Sequence, residues 1–179
     1  MTAIVGLIHE GRVWMGGDSA TTYSDATRRS DGDTKVKLIG DMLIGCAGSA
    51  RSSQIIHYSF KPPKHPQRVS PLAYISGPWM KQLQKSIKDQ WAEFYAHEGD
   101  FEFLIGYRGQ LFLVDGHFGV SNTRRSYDAI GCGANLALGS MYSTEGLSDP
   151  EKRITIALSA ASEFSAAVSP PFVILESRK

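Results

Sequence analysis

The opening of the chain, TAIVGLIHEGRVWMGGDS at residues 2–19, decides the fold. Two runs rich in β-branched and apolar residues, 3–8 and 12–17, flank the turn residues Glu10-Gly11. This pattern is typical of a β-hairpin. Alternation of polar and apolar residues is only partly kept in either run, as in strands that are buried on both faces. The sequence therefore predicts an antiparallel pair of strands inside the protein.

The pattern beyond this hairpin predicts a loop, a second hairpin and then helices. The polar stretch 18–33 predicts the loop, and strands are predicted at 35–39 and 42–47. Residues 49–60 predict a short helix, and the four prolines within 61–71 predict another loop. Apolar residues then recur at spacings of three and four, which predicts an amphipathic helix that is kinked or begins near Pro78. Its apolar face is Leu72, Ile75, Trp79, Leu83, Ile87, Trp91 and Phe94.

The second half of the chain has the same order of strands followed by helices. Strands are predicted at 101–106 and 111–114, a third ends at 129–130, and the last covers 172–175. One helix is predicted at about 134–144, and another begins where Ser148 and Glu151 fit a capping box. Strands that follow one another in hairpins predict largely antiparallel sheets with helices packed outside them. Two stacked sheets between helix layers would use every element, and other α+β arrangements remain open on this pattern alone.

Composition limits the classes of function. The chain has 179 residues, 42% of them hydrophobic, which predicts one domain over residues 1–179. A formal net charge of +1 disfavours nucleic-acid and membrane partners, since both require a basic surplus. Neither the two cysteines nor the five histidines have the spacing of a metal site, and we predict no metal and no cofactor. Because no signal peptide or membrane-spanning apolar run is visible, we expect a soluble cytoplasmic protein.

Thr2 is a candidate nucleophile because removal of Met1 would place a hydroxyl and a free amine on the same residue. A threonine hydroxyl needs a base to take its proton before it attacks a carbonyl. The pKa of an N-terminal amine is about 7.7–8.0, so a useful neutral fraction exists at physiological pH. One residue can thus supply both the nucleophile and the base.

Five short motifs, in this order along the chain, resemble those of proteasome β subunits and, most closely, HslV-type peptidases. They are TAIVG at 2–6, GGDS at 16–19, TKVKL at 34–38, GCAGSA at 45–50 and AIGCG at 129–133. The resemblance implies an α+β fold, a four-layer α/β/β/α sandwich of two mainly antiparallel sheets, and a threonine-type endopeptidase. It also implies a ring or barrel of identical subunits, a peptide or unfolded protein as substrate, and an ATP-dependent unfoldase as a possible partner.

The same resemblance implies a role for each matched residue. Thr2 would be the nucleophile, and the ammonium group of Lys35 would favour its deprotonated form. Asp18 would hold Lys35 in place, and the backbone N–H of Gly48 would stabilise the tetrahedral oxyanion. Cys132 matches a position where the family has a serine that hydrogen-bonds near the terminal amine.

Substrate-binding residues are implied in the same way. The peptide would add as a strand between Thr21-Thr22 and Gly48-Ser49-Ala50, so that main-chain hydrogen bonds supply affinity and side-chain pockets supply specificity. Cys46 matches the base of the first specificity pocket, where a small neutral thiol would suit an apolar side chain.

Three departures from the family pattern leave rival functions open. Cys132 replaces a serine, and a thiol is a weaker hydrogen-bond partner. The family's late aspartate falls near Ser165, with Glu163 close by, and the loop between Asp18 and Lys35 is one residue longer than usual. The rivals are a non-catalytic proteasome-like scaffold subunit and an N-terminal nucleophile amidase that acts on small acyl-amides.

Overall fold

The structure is a computed structural model that describes residues 2–22, 28–30, 33–91 and 101–178. Two antiparallel sheets and a short ribbon contain its strands. The first sheet has the order β10-β1-β2-β11, the second has the order β5-β6-β7-β8-β9, and β3 pairs with β4. The strands are β1 Ile4–His9, β2 Arg12–Gly17, β3 Ala20–Thr22, β4 Arg28–Ser30, β5 Val36–Ile39, β6 Met42–Gly48, β7 Phe101–Tyr107, β8 Gln110–Val114, β9 Val120–Asn122, β10 Tyr127–Ile130 and β11 Val173–Glu176.

The helices lie in two groups along the chain. Helix α1, Ala50–Gln54, continues as a π-helical turn over Ile55–Ser59. Helix α2, Pro71–Tyr74, continues through a second π-helical turn, Ile75–Trp79, into α3, Met80–Gln90. Pro78 lies inside that π-helical turn, where its missing N–H interrupts the regular hydrogen-bond pattern. Helices α4, Ala134–Ser143, and α5, Pro150–Phe164, follow β10.

Three apolar clusters show that these elements form four layers. One cluster joins β1 and β10 to α4 and α5, and includes Val5, Ala137 and Leu158. A second joins β6, β7 and β8 to α1–α3, and includes Trp79 and Phe103. The third lies between the two sheets and consists of Ile4, Val13, Met15, Val36, Leu43, Ala47, Leu104, Leu111 and Ile130. The predicted α/β/β/α sandwich is therefore confirmed.

Most predicted elements are confirmed, and three details are wrong. The predicted loop over 18–33 contains the short strands β3 and β4, and β9 was not predicted. Strands of three residues are too short to show a periodicity, so the sequence did not reveal them. The N-cap of α5 is Asp149, which accepts a hydrogen bond from the backbone N–H of Lys152, and not Ser148 of the predicted capping box.

The long amphipathic helix is confirmed as far as Gln90, with Trp91 as its C-cap. Of the predicted apolar face, Leu72 is not buried but 41% exposed, and Phe94 lies outside the described residues. In the described part of the chain, no helix has the length and apolar character needed to cross a membrane.

Candidate active site

Thr2 lies two residues before β1, an interior strand of the first sheet, and only 4% of its surface is exposed. Because β1 pairs with β10, the turn after β10 passes directly beside Thr2. The backbone N–H of Gly133 donates to the Thr2 carbonyl oxygen over 3.1 Å. The Thr2 nitrogen donates to Cys132 Sγ over 3.3 Å. This turn therefore holds Thr2 through both its carbonyl oxygen and its nitrogen.

Gly131 begins that turn with a backbone conformation that suits glycine, since its φ is +87°. A Cβ atom at this position would lie 2.3 Å from the Thr2 carbonyl oxygen. The approach of the two backbone segments thus depends on the absence of a side chain. The close contact with the Thr2 backbone explains why the AIGCG motif has glycine at position 131.

Asp18, directly after β2, is the centre of a buried polar network. Its Oδ1 accepts hydrogen bonds from Lys35 Nζ and from the backbone N–H of Ala3, each over 2.9 Å. Its Oδ2 accepts from the backbone N–H of Ala20 over 2.9 Å and from that of Ser169 over 3.4 Å. The side chain of Asp18 is fully buried, and these hydrogen bonds and the ion pair offset the cost of removing a carboxylate from water. One carboxylate oxygen thus joins Lys35 to the residue that follows Thr2.

Lys35 reaches this network from the residue before β5, and 15% of its side chain is exposed. Its Nζ also donates to the carbonyl oxygen of Ala20 over 2.6 Å. The backbone of Lys35 is fixed as well, because its carbonyl oxygen accepts from the N–H of Cys46 over 2.9 Å. Because these contacts fix its position, the Lys35 ammonium group can stabilise negative charge at a defined point in the structure.

A cavity of about 720 Å³ opens beside Thr2. Gly48, at the end of β6, lines it with a φ of +93°, and Ser49 follows as the N-cap of α1. Its lining residues are Thr2, Ala47, Gly48, Ser49, Phe101, Glu102, Gly116, His117, Gly131 and Cys132. The structure therefore brings three predicted catalytic residues, Thr2, Gly48 and Cys132, to one cavity.

The predicted substrate-binding residues occupy different places. Thr21-Thr22 lie in β3, paired with Arg29 and Arg28 of β4. Ser49 lines the cavity, and Ala50 is exposed at the start of α1. Cys46 is buried beneath the helix layer, with its Sγ 3.3 Å from His57 Nε2, and does not belong to the cavity lining given above.

Burial dominates the chemistry of the Cys46–His57 pair. It raises the pKa of the Cys46 thiol well above its usual value. It lowers the pKa of His57 to about 4, although a hydrogen bond to the Ile44 carbonyl oxygen acts in the opposite direction. Both side chains are therefore neutral near pH 7, and the thiol has little thiolate character.

Glu102 was not predicted from the sequence. It lies in β7 opposite Ala47 and lines the cavity, and its Oε2 accepts a hydrogen bond from the backbone N–H of Gly131 over 3.0 Å. The available signal was an acidic residue within the apolar run FEFLIG at 101–106. Ser165, near which the family's late aspartate falls, is the C-cap of α5, and its hydroxyl accepts from the Ala167 N–H.

Solved structures of three proteins share this fold over almost the whole chain. BPH from Thiobacillus denitrificans, in complex with Epoxomicin, has a TM-score of 0.83 and 23% identity, covering 98% of this chain and 97% of that one. Eukaryotic HslV from Trypanosoma brucei has a TM-score of 0.70 and 18% identity, covering 98% of each chain. Anbu, the ancestral beta-subunit, from Yersinia bercovieri has a TM-score of 0.72 and 13% identity, covering 98% and 81%. No protein-family model and no curated sequence matches the chain.

The chain therefore has the N-terminal nucleophile fold, with two mainly antiparallel sheets between helix layers. Within that class it has the proteasome-like form, and the resemblance to HslV-type proteins predicted from five short motifs is confirmed. At 13–23% identity this likeness concerns the fold, and the chemistry has to be argued from the residues themselves.

Proposed function

We propose that the chain is an N-terminal threonine peptidase that cleaves peptide bonds through Thr2 after removal of Met1. One observation carries the proposal. The buried carboxylate of Asp18 joins the Lys35 ammonium group to the backbone beside Thr2, and Thr2 itself lines a cavity of about 720 Å³. Burying two charges costs desolvation free energy that only close pairing and further hydrogen bonds offset, and ionisable groups held in this way are frequent in active sites.

The proposed reaction is an acyl transfer in two steps. The α-amine of Thr2 takes the proton of the Thr2 hydroxyl, whose oxygen attacks the substrate carbonyl carbon. The resulting oxyanion collapses, the amine half of the peptide leaves with a proton, and an ester to Thr2 remains. Water, activated by the same amine, then hydrolyses this ester and frees the carboxylic acid.

Each surrounding residue has a part in this reaction. The ammonium group of Lys35 favours the deprotonated hydroxyl, and Asp18 keeps that group in place. The Gly48 backbone N–H stabilises the oxyanion, a contribution that typically lowers a barrier by about 3–4 kcal/mol. Cys132 Sγ, at 3.3 Å from the Thr2 nitrogen, orients the amine that acts as base. We propose that the substrate backbone extends between Thr21-Thr22 and Gly48-Ser49-Ala50.

Assembly and location belong to the same proposal. The likeness to HslV and Anbu supports a ring or barrel of identical subunits, in which the cavities beside Thr2 would face an enclosed chamber. Enclosure would limit which polypeptides reach Thr2, a selectivity that a peptidase with an open active site lacks. An ATP-dependent unfoldase would then deliver unfolded protein, and the assembly would work in the cytoplasm.

A non-catalytic scaffold subunit is the second candidate, and Cys132 favours it. The hydrogen-bond acceptor at the Thr2 nitrogen is a thiol, which orients an amine less firmly than a hydroxyl would. A small-amide amidase would use the same residues. It would differ in cleaving small acyl-amides as a monomer or dimer, whereas a peptidase of this kind cleaves peptides inside a closed oligomer.

An assay of three proteins tests the proposal. The wild type, first shown by intact mass to begin at Thr2, is compared on fluorogenic peptides with Thr2→Ala and with Thr155→Ala, a control at an exposed threonine of α5. We expect turnover by the wild type and the control, and none by Thr2→Ala. Equal rates for the wild type and Thr2→Ala would refute the proposed peptidase activity and favour the non-catalytic scaffold subunit.

A covalent probe gives a second measure of the same nucleophile. Epoxomicin is a suitable choice because it is the ligand in the BPH structure. We expect one retained probe per chain in the wild type and no adduct in Thr2→Ala. Native mass spectrometry of the same samples gives the number of subunits and separates the closed oligomer from the monomer or dimer.

A further inference from the structure

The cavity beside Thr2 contains a carboxylate that the proposed reaction does not use. Glu102 projects from β7, opposite Ala47 and next to the Phe101–Gly48 pair of the ladder. Its side chain is half-buried and lines the cavity together with Thr2 and Cys132. The group therefore stands where a bound substrate would pass close to the nucleophile.

This carboxylate is anchored by a backbone hydrogen bond, and it has no ion-pair partner in the described part of the chain. Its Oε2 accepts a hydrogen bond from the backbone N–H of Gly131 over 3.0 Å. Within the described ranges, no lysine, arginine or histidine nitrogen lies within 4.0 Å of it. The remaining acceptor capacity of the carboxylate is open to the cavity.

The described side chains that line the cavity include no lysine or arginine to pair with this carboxylate. Among the lining residues given above, Glu102 is the one with an acidic side chain. The turn between β8 and β9 contributes Gly116 and His117 to the lining, and Asp115 of the same turn is exposed and accepts hydrogen bonds from the backbone N–H groups of His117 and Gly119. A half-buried carboxylate with no cationic side chain within ion-pair distance is stabilised by a ligand that supplies a cation.

We propose that Glu102 is a specificity-determining residue that selects peptide substrates with a lysine or arginine side chain next to the scissile bond. This inference rests on the proposed peptidase function and names its substrate class. A basic side chain in the cavity would donate a charge-assisted hydrogen bond to the open side of the Glu102 carboxylate. Such a bond corresponds to a preference of about ten- to a hundredfold over a neutral side chain.

Three variants separate the charge of Glu102 from its structural contact. Glu102→Gln keeps an oxygen that can accept from the Gly131 N–H, so the turn beside Thr2 is retained while the charge is lost. Glu102→Lys reverses the sign of the charge. Glu151→Gln makes the same change of charge at an exposed position of α5 and serves as the matched control.

The test measures binding separately from turnover. Each substitution is placed in a Thr2→Ala background, and the dissociation constants of peptides with a neutral dye are measured by fluorescence anisotropy. The peptides carry lysine, norleucine or glutamate at each position around the central bond. We expect one position at which the lysine peptide binds about tenfold or more tightly than the norleucine peptide. Glu102→Gln should abolish the difference, Glu102→Lys should favour glutamate, and Glu151→Gln should change nothing.

Equal binding of the lysine and norleucine peptides at every position would overturn the inference, and so would a preference that survives in Glu102→Gln. Turnover is then measured with Thr2 restored. Charge-selective binding without turnover would refute the peptidase while Glu102 keeps its role as a selective site. Turnover without charge selectivity would refute the role of Glu102 alone.

Discussion

A methyl group added at Gly131 would test how closely the turn after β10 must approach Thr2. Gly131 has a φ of +87°, and a Cβ built on it would lie 2.3 Å from the Thr2 carbonyl oxygen and 2.9 Å from the Thr2 carbonyl carbon. Both of these contacts are to backbone atoms, which a change of rotamer cannot relieve. The substitution Gly131→Ala should therefore displace the chain start.

These distances set the expected loss of stability and of turnover in Gly131→Ala. Real Cβ contacts essentially never fall below 3.0 Å, so the two backbone segments must separate by about 0.7 Å. An alanine at a positive φ costs a further 1–2 kcal/mol or so. We expect the free energy of unfolding to fall by about 2–3 kcal/mol. Since a misplacement of about 1 Å can cost about a hundredfold in rate, kcat/KM should fall by a factor on the order of 30–100.

Urea unfolding and a fluorogenic peptide assay measure these two quantities. Gly139→Ala is the matched control, because Gly139 lies inside α4 and a Cβ there would meet no atom within 4 Å. That control should be more stable than the wild type by up to about 1 kcal/mol and fully active. A Gly131→Ala protein with wild-type stability and turnover would refute the close approach of Gly131 to Thr2.

Two further predictions concern buried polar groups. Lys35→Met removes the cation that pairs with the buried Asp18 carboxylate. The free energy of unfolding, measured by urea titration, should fall by about 3 kcal/mol, and peptide turnover should be lost. Unchanged stability would contradict the ion pair. The pKa of His57 is lowered from 6.5 to about 4, so between these values the unfolded chain binds a proton that the folded chain does not. The free energy of unfolding should therefore decrease by about 2 kcal/mol from pH 6.5 to pH 4.5 on account of His57. In His57→Gln the decrease over the same pH range should be smaller than in the wild type by about 2 kcal/mol.

The sequence predicted the longer elements well because their burial leaves a pattern. The hairpin of β1 and β2 and the hairpin of β5 and β6 were evident from apolar runs flanking turn residues, and the structure confirms both. Helix α5 was predicted from a capping box at Ser148 and Glu151, although its N-cap is Asp149. The strands β3 and β9 escaped prediction because three residues pair with a neighbour without leaving a periodic pattern.

The candidate site was predicted less completely than the fold. Ordered motifs pointed to Thr2, Asp18 and Lys35, and the roles of these residues stay predictions. Glu102 could not be chosen from the sequence, because an acidic residue in a strand is equally compatible with an exposed edge. Its place in the cavity is seen only in the structure, where β7 pairs with β6 and the Glu102 carboxylate accepts a hydrogen bond from the Gly131 N–H.

The sequence by itself determined the longer strands and helices, because hydrophobic periodicity and turn residues act over short distances along the chain. It also supplied the hydroxyl of Thr2 at the second position. The tertiary structure decided which groups meet: Asp18 with Lys35, Thr2 with the 131–133 turn, and Glu102 with the cavity. These contacts join residues up to 130 positions apart, and the register of the paired strands sets their distances.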